Sequence, residues 1–220
     1  MGVPDRFAIE YPMRCLELIE AAEDYAVRRK LEGSFALLAA SAVLTIPFER
    51  MAARHKLHDK ERDADLAGAV GLLSKTPFLK APFWEGAPPT DWRMSRVMTP
   101  VNEVEGWRDG DGLHPLDENA TNTIKRYTAK EVIRVIRNAL AHGNIIYLNA
   151  QYREVPGDRM AFIAFLSQYE ETEEQRKASE TYRLLVVPET AFLGFVKRWA
   201  AWIGGLDQDV AILPGEAVPA

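Results

Sequence analysis

Apolar residues recur at three- and four-residue spacing over residues 12–31, where Cys15, Leu18, Ile19, Ala22, Tyr25 and Ala26 make one stripe. The spacing predicts a first helix. Pro12 suits its first turn, and Gly33 suits its stop. Ser34 is a good N-cap for a second helix over 35–56. That segment is apolar nearly all round as far as Phe48, so other helices or a partner chain must cover it. Pro47 removes one intrahelical hydrogen bond and predicts a kink. A third, more polar helix is expected over about 59–74.

The pattern then breaks. Residues 76–118 hold Trp84, Trp92 and Trp107 among many prolines and glycines. They predict a long irregular excursion with one short helix inside it, of the kind that usually covers something. Regularity returns at "TAKE", 128–131, a capping box in which Thr128 and Glu131 satisfy each other's backbone N–H. A helix over 129–142 follows, with Val132, Ile133, Ile136, Ala139 and Leu140 as its buried stripe. Three strand-like runs come next, "NIIYLNAQY", "RMAFIAFLSQY" and "YRLLVVP", separated by the turn-prone "REVPGD" and "EETEEQRKASE". They predict a small antiparallel meander over 144–188. A final helix over 189–204 gathers Phe192, Phe195, Val196, Trp199, Trp202 and Ile203 on one face, and 208–220 reads as a loose tail. The expected fold is mainly α. It is an antiparallel helical bundle in one domain over 1–207, with a long irregular Trp- and Pro-rich insertion and a small β meander before the C-terminal helix.

Composition narrows the functional classes. The chain has 220 residues and a net charge of −5, so any nucleic-acid contact must be local rather than a broad basic coat. Its single cysteine, Cys15, leaves no intramolecular disulfide and fits a reducing compartment. The first residues lack a signal pattern. The apolar run "FALLAASAVLTIPF" is too short, and its side chains too small, for a membrane span. A cytoplasmic protein without membrane contact is expected.

The candidate chemistry sits in "VIRVIRNALAHGNIIYL", 132–148. Asn138 and His142 are four apart on one helical face, Arg134 stands a turn before Asn138, and Arg137 lies on the flank. A guanidinium holds phosphate by paired, charge-assisted hydrogen bonds. An imidazole exchanges a proton near neutral pH. These groups could cleave a phosphodiester without a metal. They also fit an ordinary helix end: His is favoured at a helix C-terminus, Gly143 is an ordinary cap, and Arg137 could simply be a solvated charge.

"RNALAH", within "IRNALAHGNI", resembles the signature of HEPN domains: an arginine, then a polar residue, with a histidine a turn further on. "LTIPFER" resembles the second helix of the plasmid-encoded HEPN group, and the likeness covers about 12–56 and 120–205. The resemblance implies a homodimeric, metal-independent ribonuclease. Its two motif helices would meet in a composite site that uses the RNA 2′-hydroxyl and leaves a cyclic phosphate. It implies His142 as acid/base, Arg137 on the scissile phosphate and Asn138 assisting, with no cofactor. The setting would be toxin–antitoxin or phage defence, with an antitoxin protein as possible partner. A basic run, Lys125, Arg126, Lys130 and Arg134, either steers RNA or is the helix's solvated face. Other members are non-catalytic interaction modules, and a phosphate- or nucleotide-binding helical protein is a further alternative.

Five other features carry weaker signals. His55 and His58 are three apart, without a known zinc spacing. "DGDGLHPLDENA" begins like a calcium loop, but its sixth and twelfth positions are His114 and Ala120, which predicts a turn. The three tryptophans of 76–118 anchor that loop or stack bases. Glu49 and Arg50 border the site or pair with each other. Cys15 is expected to be a structural thiol.

Overall fold

The computed structural model describes residues 6–50, 64–98, 101–168 and 181–209. The expected helical segments 51–56 and 59–63, the pair His55 and His58, the linker 169–180 and the tail 210–220 lie outside the described residues.

Helix α1 (Phe7–Arg28) starts earlier than its stripe suggests, so Pro12 is inside it rather than in its first turn. The Glu10 carboxylate takes the Arg6 N–H at 2.9 Å and closes the helix start. Lys30, in a left-handed conformation (φ 56°), makes the turn expected of Gly33. Gly33 instead lies buried within α2 (Glu32–Ala40). An added Cβ there would meet the far end of the flexible Met160 side chain. Ser34 is correspondingly in the first turn of α2 and caps nothing.

After α2 the chain makes a π-helical turn (Ser41–Thr45) and continues as α3 (Ile46–Arg50). This is where Pro47 predicts a kink. Taken together, Glu32–Arg50 is long and apolar enough to cross a membrane, which corrects the length argument made from the shorter run. In this fold its residues Ala36, Ala39, Ala40, Val43, Leu44 and Phe48 are buried in the core shared with α1 and the last helix. Helix α4 (Ala64–Leu73) adds Leu66 and Leu73.

The insertion is more ordered than its composition suggests. It holds 3-10 turns at Phe78–Lys80, Pro82–Trp84 and Val104–Gly106, and one strand, β1 (Arg93–Met98). Helix α5 (Ala129–His142) follows with its capping box intact. Strands β2 (Ile145–Leu148), β3 (Phe162–Ser167) and β4 (Thr181–Pro188) are the expected meander. With β1 they form a four-stranded antiparallel sheet in the order β1-β4-β3-β2. The last helix, α6 (Glu189–Asp209), runs beyond its predicted end and takes in the first residues expected in the tail.

Both faces of the sheet are covered. Met94, Ile163, Phe165, Leu185 and Val187 join the helical core. Val97, Leu148, Ala164, Leu166, Leu184 and Val186 face a second cluster built on Val104, Trp107 and Leu116. The insertion thus covers the sheet face that the helices leave bare, which is why "FIAFL" and "LLVV" read as continuous rather than alternating. Its tryptophans are anchors. Trp84, Trp92 and Trp107 are all buried, so base stacking by these rings is overturned. Trp84 and Trp107 donate their indole N–H groups to the carbonyls of Phe78 and Val101. The loop at Asp109 is a turn, its own carboxylate accepting the N–H groups of Asp111 and Leu113.

Candidate functional site

Gly143, left-handed at φ 71°, ends α5, and its N–H returns to the Ala139 carbonyl. The Asn144 carbonyl then accepts the Leu166 N–H at 3.0 Å, and Ile145 pairs with Phe165. This tight turn brings the end of β3 under the last turns of α5. It places Ser167, buried on β3, beside Asn138, whose side-chain nitrogen donates to Ser167 Oγ at 3.2 Å. The Asn138 oxygen accepts from Arg137 Nη1 at 2.8 Å. Only one orientation of the carboxamide serves both contacts, because a guanidinium has no acceptor.

A second clamp comes from α3. Arg137 Nη2 is ion-paired with Glu49, and the Arg137 guanidinium lies 5.9 Å from the Phe48 ring centroid. Arg137 is therefore held between Glu49 on one side and the Asn138–Ser167 pair on the other. Its Nε is buried, with no hydrogen-bond partner among the described residues. Each terminal nitrogen spends one N–H on these contacts and keeps another, since the group carries five donors. Glu49 does not pair with Arg50, whose guanidinium sits 5.1 Å over the Phe7 ring.

His142 is exposed, one turn beyond Asn138 on the same face. At 1.5 Å rise per residue, Arg134 is about 12 Å and Lys130 about 18 Å back along α5 from His142. Lys130 is half-buried at the second position of the helix, and Arg126 is exposed at the end of the 3-10 turn Ile124–Arg126. Lys130 and Arg126 are therefore remote from His142. Arg134 is half-buried and engaged with a neighbour.

Sequence reasoning placed Arg137, Asn138 and His142 on one helix end but left the role of Glu49 open and missed Ser167. Glu49 carried a faint signal, a lone acid ending an apolar helix at a proline kink. Ser167 carried none, being the last residue of an apolar strand 29 positions from Asn138. Cys15 is half-buried, and burial pushes its thiol up from the ordinary range, with a smaller opposing effect from the Tyr11 hydroxyl. That fits a structural thiol. Among the described residues, no cluster of three or more His, Cys, Asp or Glu could hold a metal.

The model of the HEPN pEK499 p136 family matches residues 1–206, so the chain belongs to that family, as the "RNALAH" resemblance implied. HEPN domains are generally associated with ribonuclease activity. No curated protein and no solved structure matches the chain.

Proposed function

We propose that this HEPN protein is a metal-independent endoribonuclease with Arg137, Asn138 and His142 as its working residues. The carrying observation is that Arg137 is fixed by Glu49 and Asn138 while His142 stands exposed on the same helix end. A solvated charge on a long side chain has no need of two clamps, and holding it costs about 2 kcal/mol of rotamer freedom. A guanidinium fixed beforehand can stabilise charge as it develops on phosphorus, where a mobile one would first have to be ordered.

The reaction needs a proton acceptor, a proton donor and a cation, which a composite site draws from two copies of the motif. The RNA 2′-oxygen attacks the adjacent phosphorus as its proton passes to a base. The bond from phosphorus to the 5′-oxygen breaks, and that oxygen takes a proton from an acid. The products are a 2′,3′-cyclic phosphate and a 5′-hydroxyl. His142 exchanges the proton on one side, Arg137 holds the phosphoryl oxygens, and Asn138 keeps Arg137 in line. Arg134, Lys130 and Arg126 lead the strand in.

A homodimer that brings two motif helices together is part of the reading. The π-helical turn supports it. In an unbroken α-helix Leu38 and Ile46 would lie about 80° apart, but one extra residue in the turn reduces this to about 20°. Leu38 and Ile46, 70% and 42% exposed, thereby form one bare apolar line that runs toward Glu49 and the motif. The biological setting fits a cytoplasmic toxin–antitoxin or phage-defence role, with an antitoxin protein as partner.

The test is incubation of wild-type and His142→Ala protein with mixed RNA in EDTA, with the fragment ends resolved. Cleavage by wild type alone, leaving cyclic-phosphate ends, is expected. Equal cleavage by the variant removes His142 from the mechanism. No cleavage by either turns the reading toward a non-catalytic interaction module.

A further inference from the structure

An acidic chain has no general positive field with which to hold RNA, so its cations must stand where the strand passes. Arg137 can meet one phosphate. We infer that Arg50 meets another, binding an RNA phosphate that flanks the scissile one. The inference rests on the ribonuclease reading above.

Arg50 is the last residue of α3 and follows Glu49 directly. Glu49 spends its carboxylate on Arg137 rather than on its chain neighbour. Among the described residues the Arg50 guanidinium makes no hydrogen bond and no ion pair. It lies over the Phe7 ring, 5.1 Å from its centroid. Phe7 in turn stacks on Tyr11, one turn along α1, with ring centroids 4.9 Å apart and planes at 19°. A guanidinium resting on an aromatic face gives up mobility but none of its donors, because its five N–H bonds point outward in the plane of the group. Arg50 is half-buried. Partial burial of an unpaired charge is costly, and the contact with a ring offsets only part of that cost. The group is held ready for an anion that the described residues do not supply. The local charge agrees. Two guanidinium groups and one carboxylate leave this end of α3 net positive, in a chain of net charge −5. Its place agrees too. Successive residues of a helix are about 100° apart, so on a helix about 10–12 Å across their side-chain tips stand about 8 Å apart. Arg137 is bonded at the Glu49 tip. At about 3.4 Å of rise per nucleotide, a strand with its scissile phosphate on Arg137 covers such a gap in about two steps. Phosphate is the chemistry that fits, since its oxygens accept two parallel N–H bonds from the guanidinium edge while the face stays on Phe7. In a dimer each protomer brings its own Arg50, so the assignment holds whichever copy supplies each proton transfer.

The experiment uses the full chain and two readouts. The first is binding of a 2′-O-methyl oligoribonucleotide, which cannot be cleaved, over a range of salt. Arg50→Ala should weaken binding about tenfold and reduce the slope of log affinity against log salt by about 0.7, the share of one phosphate contact on a single strand. Arg50→Lys keeps the charge, so it should keep the slope while losing part of the affinity. Phe7→Leu, which removes the ring and leaves the arginine, should fall between wild type and Arg50→Ala. The second readout is cleavage of a short oligoribonucleotide spanning a mapped site, compared with the dinucleotide that has the scissile phosphate alone. The longer substrate's advantage in kcat/KM should be about tenfold smaller for Arg50→Ala than for wild type. Thermal melts check that each variant is folded. An unchanged salt slope, or a penalty equal on the two substrates, overturns Arg50 as the ligand of a flanking phosphate. If wild type binds RNA but cleaves neither substrate, the ribonuclease reading fails, and the salt slope still decides whether Arg50 holds a phosphate. If it binds no RNA, both fall.

Discussion

The indole N–H of Trp199 donates to the carbonyl of Val43 across 3.0 Å, joining α6 to the π-helical turn. Val43 lies in the π-helical turn just before Pro47, which has no N–H to offer the carbonyls of that turn. Both groups are buried in the bundle. The proline leaves an orphan acceptor, and the tryptophan of a distant helix satisfies it. Trp199→Phe, which keeps most of the ring's bulk, should cost about 1–3 kcal/mol in urea unfolding because the carbonyl is stranded. The same substitution in a Pro47→Ala background should cost less, because the restored N–H can take the carbonyl. Equal costs in the two backgrounds would break the link between Pro47 and Trp199.

Arg137 offers a test that separates charge from geometry. Arg137→Lys keeps the charge and can still meet Glu49, but an ammonium lacks the planar fork that bonds Asn138, Glu49 and a phosphate at once. RNA cleavage should fall by about 100-fold, close to the loss from Arg137→Ala and of the size seen when one preorganised donor is removed. Thermal stability should move little, since the Glu49 left behind is half-exposed and can be hydrated. A lysine enzyme within a few-fold of wild type would mean that Arg137 supplies only diffuse attraction for RNA.

Ser167 gives the sheet a part in the site. Its hydroxyl takes the Asn138 N–H, which turns the carboxamide oxygen toward Arg137. Ser167→Ala removes the Asn138 contact, a hydrogen bond of about 1 kcal/mol, so kcat should drop about fivefold while KM for RNA stays near wild type. Ser167→Thr, which restores the hydroxyl, should recover part of that loss. A change confined to KM would place Ser167 in substrate binding instead.

The sequence exposed the motif helix well because every signal there is local. The capping box at Thr128 and Glu131, the apolar stripe and Gly143 all act within a few residues of one another. The three meander strands were legible for the same reason. Strand β1 was not. "RMSRVM" carries arginines at its first and fourth positions and lies between proline-rich segments, and only pairing with β4 makes it a strand. Gly33 misled because a glycine inside a helix looks the same in sequence as one chosen for a turn. The clamp on Arg137 joins residues 88 positions apart, a relationship that no local pattern encodes.

Glu189 opens α6, and its carboxyl is pushed above the ordinary carboxylate range, first by burial and then by the nearby Glu32 carboxylate, while Arg159 pulls the other way. A first-turn acid would normally gain up to about 1 kcal/mol from the helix's free N–H groups. The direction of the shift says that desolvation and Glu32 outweigh that gain. The native state therefore holds this proton to a higher pH than the unfolded chain does. Glu189 contributes stability that is present below its unfolded pKa and is lost as pH rises through its folded pKa. Above both values the charged group is a standing liability. Glu189→Gln, which cannot ionise, should melt at a higher temperature than wild type at pH 7 and close to wild type in acid. The gap should open as pH climbs out of the carboxylate range. Melting curves of the two proteins from pH 3 to pH 8 decide it, and a glutamine variant less stable at pH 7 would mean that the helix end, not burial, governs this residue.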